Sequence, residues 1–138
     1  MERIPEKKSY NTTIPSTLDA VDNVSAKVYS FVAKHSGNEE AFKAGLVVIE
    51  VCTNIVKYGY KKSHEGKIWI RIDKINNSYT ISIEDESKPF NPLDYENIAP
   101  DKKDAYEHGG MGIFLIKSLS KDREYSHIKG RNKLTITI

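Results

Sequence analysis

Residues Lys67 to Asp85, KIWIRIDKINNSYTISIED, contain two apolar runs that alternate with polar residues and flank a pair of asparagines. Alternation with period two is typical of strands that bury one face. The asparagine pair at 76–77 indicates a turn, and we expect the loop to be longer than two residues. The stretch therefore predicts a hairpin of strands 67–73 and 79–84, with Asp85 ending the second strand on its apolar side.

The sequence on both sides of this hairpin predicts further strands and three helices. Alternation predicts strands at 8–14, 123–128 and 133–138. Apolar residues at helical spacing predict one helix that is capped by Ser16 and ends at Lys34, and a second from about Glu39 to Tyr58. We expect residues 1–138 to form a single α+β domain. Its architecture would be a two-layer sandwich of a mixed, mostly antiparallel sheet with helices on one face.

The composition indicates a globular protein and argues against several classes of function. The 138 residues are 29% charged and carry a net charge of only +2, with scattered basic residues, which argues against nucleic acid as the main partner. Cys52 is the single cysteine, and no Cys or His cluster has the spacing of a zinc site. Since neither a signal peptide nor a long apolar segment is recognisable, we expect a cytosolic protein that does not bind membranes.

Two polar residues stand within the apolar stretch of the second predicted helix, LVVIEVCTNIV. Glu50 and Asn54 are four positions apart and therefore share one helix face. Polar groups among apolar neighbours need partners, although a solvent-facing pair is the ordinary alternative. An Asn carbonyl oxygen can ligate Mg²⁺ that is held by phosphates, and a carboxylate can deprotonate an attacking hydroxyl. Asp85 could accept a hydrogen bond from an exocyclic amine such as that of adenine, or could simply form the turn.

A glycine-rich stretch, HGGMGIFLIKS, covers residues 108–118 and leads into the third predicted helix. A glycine turn at a helix N-terminus presents free N–H groups to phosphate, but a flexible loop before a core helix gives the same pattern. The preceding segment, 89–107, has three prolines and little periodicity. A loop of that length inside a compact domain is usually functional.

Three stretches in this order resemble the boxes of the GHKL ATPase superfamily, which has the Bergerat ATP-binding fold. EVCTNIVKYGY (50–60) resembles the N box, IEDESKPFNP (83–92) the adenine box and GGMGIFLI (109–116) the second glycine box. GRNKLTITI (130–138) is similar to the closing strand of the family. The order and spacing are most similar to those of the bacterial anti-sigma-factor serine-protein kinases, over nearly the whole chain.

The resemblance implies a role for each matching residue. Glu50 would be the general base, Asn54 would coordinate Mg²⁺ on the phosphates of ATP, and Asp85 would bind the adenine amine. The loop 91–108 would be the ATP lid, from which Lys102, Lys103 or His108 could approach the phosphates. The remaining nucleotide contacts that the resemblance implies come from the same boxes: Lys57, Tyr58, Pro89, Phe90, Gly109, Gly110, Met111, Gly112 and Ile113.

Two residues in these boxes depart from the family pattern. Ser87 stands where the adenine box usually has glycine, so we expect less backbone freedom beside adenine and a weakened or reshaped nucleotide site. Tyr58 stands where the family often has histidine. Glu50, Asn54 and Asp85 are all retained.

The function that the resemblance implies is an ATP-dependent and Mg²⁺-dependent serine kinase acting in a partner switch. It would phosphorylate an anti-sigma-factor antagonist and sequester a sigma factor or another regulatory target, and a homodimer is consistent with the family. The main alternative is a nucleotide-regulated binding module with little or no transfer activity, which Ser87 favours slightly. A detached histidine-kinase catalytic domain and a structural domain without ligand are two further alternatives.

Overall fold

A computed structural model of the chain describes residues 7–60, 65–89, 91 and 110–138, and for residues 110–113 it describes the backbone alone. The chain runs through these elements in order: β1 (Lys7–Pro15), α1 (Leu18–Ser36), α2 (Asn38–Asn54), a π-helix (Ile55–Gly59), β2 (Lys67–Ile75), β3 (Ser78–Asp85), α3 (Gly110–Leu119), β4 (Asp122–Ile128) and β5 (Arg131–Thr137).

The five strands form one sheet in the order β1-β2-β3-β5-β4. Each pairing between described strands is antiparallel, whereas the sequence suggested a mixed sheet. The inward face of the sheet packs with the buried sides of α1 and α2 in one hydrophobic core. The predicted α+β sandwich of two layers is therefore confirmed.

The core consists mainly of β-branched residues that follow the two expected periodicities. Isoleucines at every second position of β2 and β3 are buried, and valines at helical spacing bury one side of α1. Asp85 falls on the buried side of β3, as the alternation predicts. No helix in the described part of the chain is long and apolar enough to cross a membrane.

The turn between β2 and β3 is shorter than expected. Ile75 pairs with Ser78, so Asn76 and Asn77 alone make the connection. Asn76 has a φ of 55°. Asparagine adopts this left-handed conformation more readily than most residues, which allows a loop of two residues.

The first helix is capped by Thr17 and not by Ser16. The Thr17 side chain accepts a hydrogen bond from the Ala20 backbone N–H at 3.2 Å. Ser16 is used elsewhere, since its backbone and its hydroxyl both bond to Gly66, each at 2.9 Å. These bonds attach the start of α1 to the residue that precedes β2. Both residue types are good caps, so the sequence alone does not separate them.

The second helix changes its winding directly after Asn54. The sequence predicts one continuous helix to Tyr58, but residues 55–59 form a π-helix, and the Tyr60 N–H donates to the Ile55 carbonyl at 2.9 Å. A π-turn accommodates one more residue per turn than an α-helix and is frequent at functional sites. Gly59 and Tyr60 lie beside the end of β3 as a result.

Candidate nucleotide site

A pocket that is partly open to solvent lies between the end of α2 and the sheet. Most of its lining surface is apolar, and its polar side chains come from α2, from β3 and the turn after it, and from β4 and β5. The lining residues are Val51, Asn54, Ile55, Gly59, Ile83, Asp85, Ser87, Tyr125, Asn132 and Leu134. An apolar cleft with a few convergent polar groups is typical of a small-molecule site.

Asn54 is the last residue of α2, and it lines this pocket. Its side chain is only 7% exposed and has no hydrogen-bond partner among the described residues. Each fully buried side-chain nitrogen or oxygen in the described part has a partner. The amide of Asn54 is therefore not fully buried, and its carbonyl oxygen is of the kind that Mg²⁺ prefers as a ligand.

Asp85 is held in place through one of its two carboxylate oxygens. The residue is 4% exposed, and its Oδ1 accepts from the Ser87 backbone N–H at 2.9 Å, from the Ser87 hydroxyl, and from Asn132 Nδ2 at 3.0 Å. Its Oδ2 has no partner among the described residues. By the same reasoning as for Asn54, Oδ2 is not fully buried, and Asp85 is one of the residues that line the pocket.

The backbone of Ser87 is not strained, although the adenine box usually has glycine at this position. The described non-glycine residues with positive φ are Asn76 and Lys129, so Ser87 lies outside the left-handed region. Its hydroxyl bonds to Asp85 and lies directly over Gly59. The expected loss of backbone freedom therefore has little effect here, because this turn does not use a glycine conformation.

Tyr60 connects the residues after the π-helix to both neighbouring strands. Its hydroxyl accepts from the Glu86 N–H at 2.6 Å and donates to the Lys67 carbonyl at 2.7 Å. Burial is the main cause that raises the pKa of Tyr60, and the charges of Asp85 and Glu86 raise it further. The phenol thus fixes the turn that follows Asp85 relative to the start of β2.

Cys52 lies in the core on α2, between Val51 and Asn54, which line the pocket. It is fully buried, and this burial raises the pKa of its thiol, to which the negative charge of Asp85 adds. A thiol in such surroundings is unreactive, so Cys52 is a core residue, as the sequence suggests.

Other residues that the sequence singled out lie around the pocket without lining it. Glu50 is half-buried on α2, one helical turn before Asn54, and Tyr58 is half-buried in the π-helix. Lys57 and Pro89 are exposed. The structure therefore brings Asn54 and Asp85 together, while Glu50 stands next to this pair along the helix.

The described part of the glycine-rich stretch, from Gly110 onward, belongs to α3. The helix begins at Gly110, includes Met111, Gly112 and Ile113 in its first turn, and packs against α2. Its first N–H groups therefore lie at the N-terminal, electropositive end of a helix, as a phosphate site requires. Five expected contributors lie outside the described residues: Phe90, Lys102, Lys103, His108 and Gly109.

Three residues of the hydrogen-bond network around Asp85 were not predicted. Asn132, Tyr125 and His127 come from β4 and β5 and meet at the Asn132 amide. The sequence could have indicated Asn132, because this residue lies on the same face of the strand as Leu134 and Ile136. A polar residue on a buried strand face indicates a specific partner.

Comparisons with known proteins give the family of the chain. The family described as histidine kinase-like ATPase domain matches residues 14–138. The chain belongs to the histidine kinase-like ATPase family. This ATPase domain is 32% identical, over 126 residues, to the serine-protein kinase RsbW of Staphylococcus aureus strain MRSA252, covering 85% of the chain and 72% of the relative. The relative of the same name from strain JH9 is 31% identical over the same shares. The family resemblance drawn from the sequence is thereby confirmed.

Proposed function

We propose that the protein is an ATP-dependent serine-protein kinase that acts as an anti-sigma factor in a partner switch. The observation that carries the proposal is the convergence of Asn54 and Asp85 on one pocket, with Glu50 one turn away on α2. The similarity to serine-protein kinases of Staphylococcus aureus supports the type of reaction.

The pocket would take the purine of ATP through Asp85. Its Oδ2, which has no partner in the described part of the chain, is a hydrogen-bond acceptor, and the exocyclic amine of adenine is a matching donor. The apolar side chains that line the pocket, such as Val51 and Leu134, would contact the base. The base would thus be bound by apolar contact and oriented by one charge-assisted hydrogen bond.

The phosphates would lie near Asn54 and the first turn of α3. The Asn54 amide fits a magnesium ion bound mainly by phosphate oxygens and water, and this ion would neutralise charge that develops on the phosphates. The N–H groups from Gly110 to Ile113 would donate to phosphate oxygens. Lys57 and Tyr58 of the π-helix, together with Pro89 and Phe90 of the stretch that resembles the adenine box, complete the proposed nucleotide contacts.

Glu50 would act as the general base toward a serine of the partner protein. As the serine oxygen forms a bond to the γ-phosphorus, the bond from that phosphorus to the β,γ-bridging oxygen breaks and ADP leaves. The serine proton goes to the Glu50 carboxylate. Positioning and charge neutralisation supply most of the catalysis in such transfers.

The proposed partners are an antagonist protein that carries the phosphorylated serine and a sigma factor or another regulatory target. Phosphorylation of the antagonist would free the kinase to sequester the target. In this proposal the protein acts in the cytosol and binds neither nucleic acid nor a membrane. A homodimer belongs to the same proposal.

The test is phosphoserine formation on a candidate antagonist with Mg-ATP. Glu50→Gln keeps the shape of the side chain but removes the base, so we expect transfer to fall by about 100-fold or more while ATP affinity is retained. Glu39→Gln, at an exposed position of the same helix, is the control and should leave transfer unchanged. Full activity of Glu50→Gln would exclude this glutamate as the base.

A nucleotide-regulated binding module is the second candidate. The observation that favours it is that Glu50 does not line the described pocket. Under this function, the wild-type protein would bind ATP and a partner but form no phosphoserine in the same assay.

A further inference from the structure

We propose that Asn132, oriented by Tyr125 and His127, is the positioning residue that aims Asp85 at the exocyclic amine of a bound purine. The discrimination between an amino-purine and an oxo-purine would then depend on the last two strands of the chain. This inference rests on the proposed nucleotide function and assigns the determinant of base specificity within that site.

The orientation of the Asn132 amide is fixed by its acceptors. Asn132 is 4% exposed, and its Nδ2 lies 3.0 Å from Asp85 Oδ1, 3.1 Å from the Lys88 carbonyl and 3.2 Å from the Ser87 carbonyl, with the Ser87 hydroxyl at 3.4 Å. A carboxylate and two carbonyl oxygens can only accept. An amide turned by 180° would place its oxygen against these three acceptors, so Nδ2 must point toward Asp85.

The opposite side of the amide is fixed by β4. Asn132 Oδ1 accepts from the Tyr125 hydroxyl and lies 3.0 Å from His127 Nδ1. Because Oδ1 can only accept, the Tyr125 hydroxyl must donate and His127 must carry its proton on Nδ1. Two donors from one strand therefore orient an amide on the next strand, and that amide donates to Asp85.

This arrangement leaves one oxygen of Asp85 for a ligand. Donors from Ser87 and Asn132 converge on Oδ1, while Oδ2 has no partner among the described residues and belongs to a side chain that lines the pocket. A carboxylate oxygen held there pairs with a donor and repels an acceptor. The amine of adenine is a donor at the position where hypoxanthine has an oxo group, which accepts.

The experiment compares the affinities of Mg-ATP and Mg-inosine triphosphate by calorimetric titration. We expect the wild-type protein to favour ATP by about tenfold or more, which is the effect of one hydrogen bond to a charged group. Asn132→Leu removes the donor that fixes Asp85, so ATP affinity should fall by about tenfold while inosine triphosphate affinity changes little. Tyr125→Phe, which removes one donor to the amide, should give an intermediate ratio.

The ratio of the two affinities separates positioning from a general loss of structure. A variant that is only less stable binds both nucleotides more weakly and keeps the ratio. Ile136→Val, in the core of β5 and outside the pocket lining, is the matched control and should keep it. If Asn132→Leu does not fold, Tyr125→Phe combined with His127→Ala tests the same orientation of the amide.

An unchanged ratio in folded variants of Asn132 or of its two donors would overturn the inference, as would a wild-type protein that binds both nucleotides equally. The kinase proposal fails separately. A protein that discriminates between the nucleotides as expected but forms no phosphoserine would retain this inference and lose the proposed transfer. A wild-type protein that binds neither nucleotide would overturn both.

Discussion

Gly59 packs so closely against Ser87 that a β-carbon at position 59 would lie 2.7 Å from the Ser87 hydroxyl oxygen and 3.2 Å from its β-carbon. This contact joins the π-helix to the turn that follows Asp85. The Ser87 hydroxyl cannot move aside freely, because it donates to the Asp85 carboxylate. The glycine is thus required by space and not by an unusual φ.

We expect Gly59→Ala to reduce the free energy of unfolding by about 1–3 kcal/mol, the usual effect of overpacking. It should also weaken ATP binding, because Ser87 must rotate away from Asp85. Urea denaturation measures the first effect and nucleotide titration the second.

The double variant that combines Gly59→Ala with Ser87→Gly tests this contact. Removing the hydroxymethyl group makes room for the new methyl group, so the two changes together should destabilise less than their sum. Gly45→Ala is the matched control, because a β-carbon there would have only ordinary contacts with Ser25 and Tyr29. Strict additivity of Gly59→Ala and Ser87→Gly would contradict the clash.

Asn54→Ala should remove ligand stabilisation without unfolding the protein. The Asn54 amide has no partner among the described residues, so its loss should change the free energy of unfolding by less than about 1 kcal/mol. Mg-ATP should raise the thermal midpoint of the wild-type protein, and the variant should lose most of that increase.

Differential scanning fluorimetry with and without Mg-ATP measures both quantities. Asn23→Ala, at an exposed position on α1, is the control and should keep the full increase. An equal increase in Asn54→Ala would exclude this residue as a contributor to the phosphate and metal site.

Asp73→Asn should reduce the loss of stability in acid. A hydrogen bond from Arg71, at 2.8 Å, is the main cause that lowers the pKa of Asp73 below its ordinary 3.8, and the Ser9 hydroxyl bond lowers it too. The folded state therefore binds this proton more weakly than the unfolded state. The stabilisation is fully present above the ordinary pKa and is lost as the pH falls through the lowered value.

Urea denaturation at neutral pH and at several values down to pH 3 measures this dependence. The variant should be slightly less stable than the wild-type protein at neutral pH, and the difference should shrink in acid. Asp22→Asn, at an exposed position on α1, is the comparison. A difference that stays constant over this range would show that the Asp73 carboxylate is not coupled to folding.

The features that the sequence predicted depend on regular periodicity. Ile68 and Ile81 are buried because alternate residues of a strand point to the same side, and the same rule places Asp85 toward the pocket. The spacing of Glu50 and Asn54 likewise follows from the helical repeat. These inferences require only local geometry, so they could be made without knowledge of the tertiary structure.

The features that the sequence did not predict depend on contacts between distant residues. The choice of Thr17 over Ser16 as cap follows from the bonds between Ser16 and Gly66. The π-helix allows Gly59 to approach Ser87, and no local pattern in residues 55–59 indicates it. The Asn132 network needs the pairing of β5 with both β3 and β4.

The strand order has a consequence for how the protein folds during its synthesis on the ribosome. Asp85 lies opposite Asn132 in the β3–β5 pairing, so the residues that complete the pocket are far apart in the order of synthesis. The helices and the β2–β3 hairpin can form while the chain is still being made, because their contacts are local. A nascent chain cannot hold Asp85 in its final orientation until residue 132 has emerged, so the pocket is completed late in synthesis.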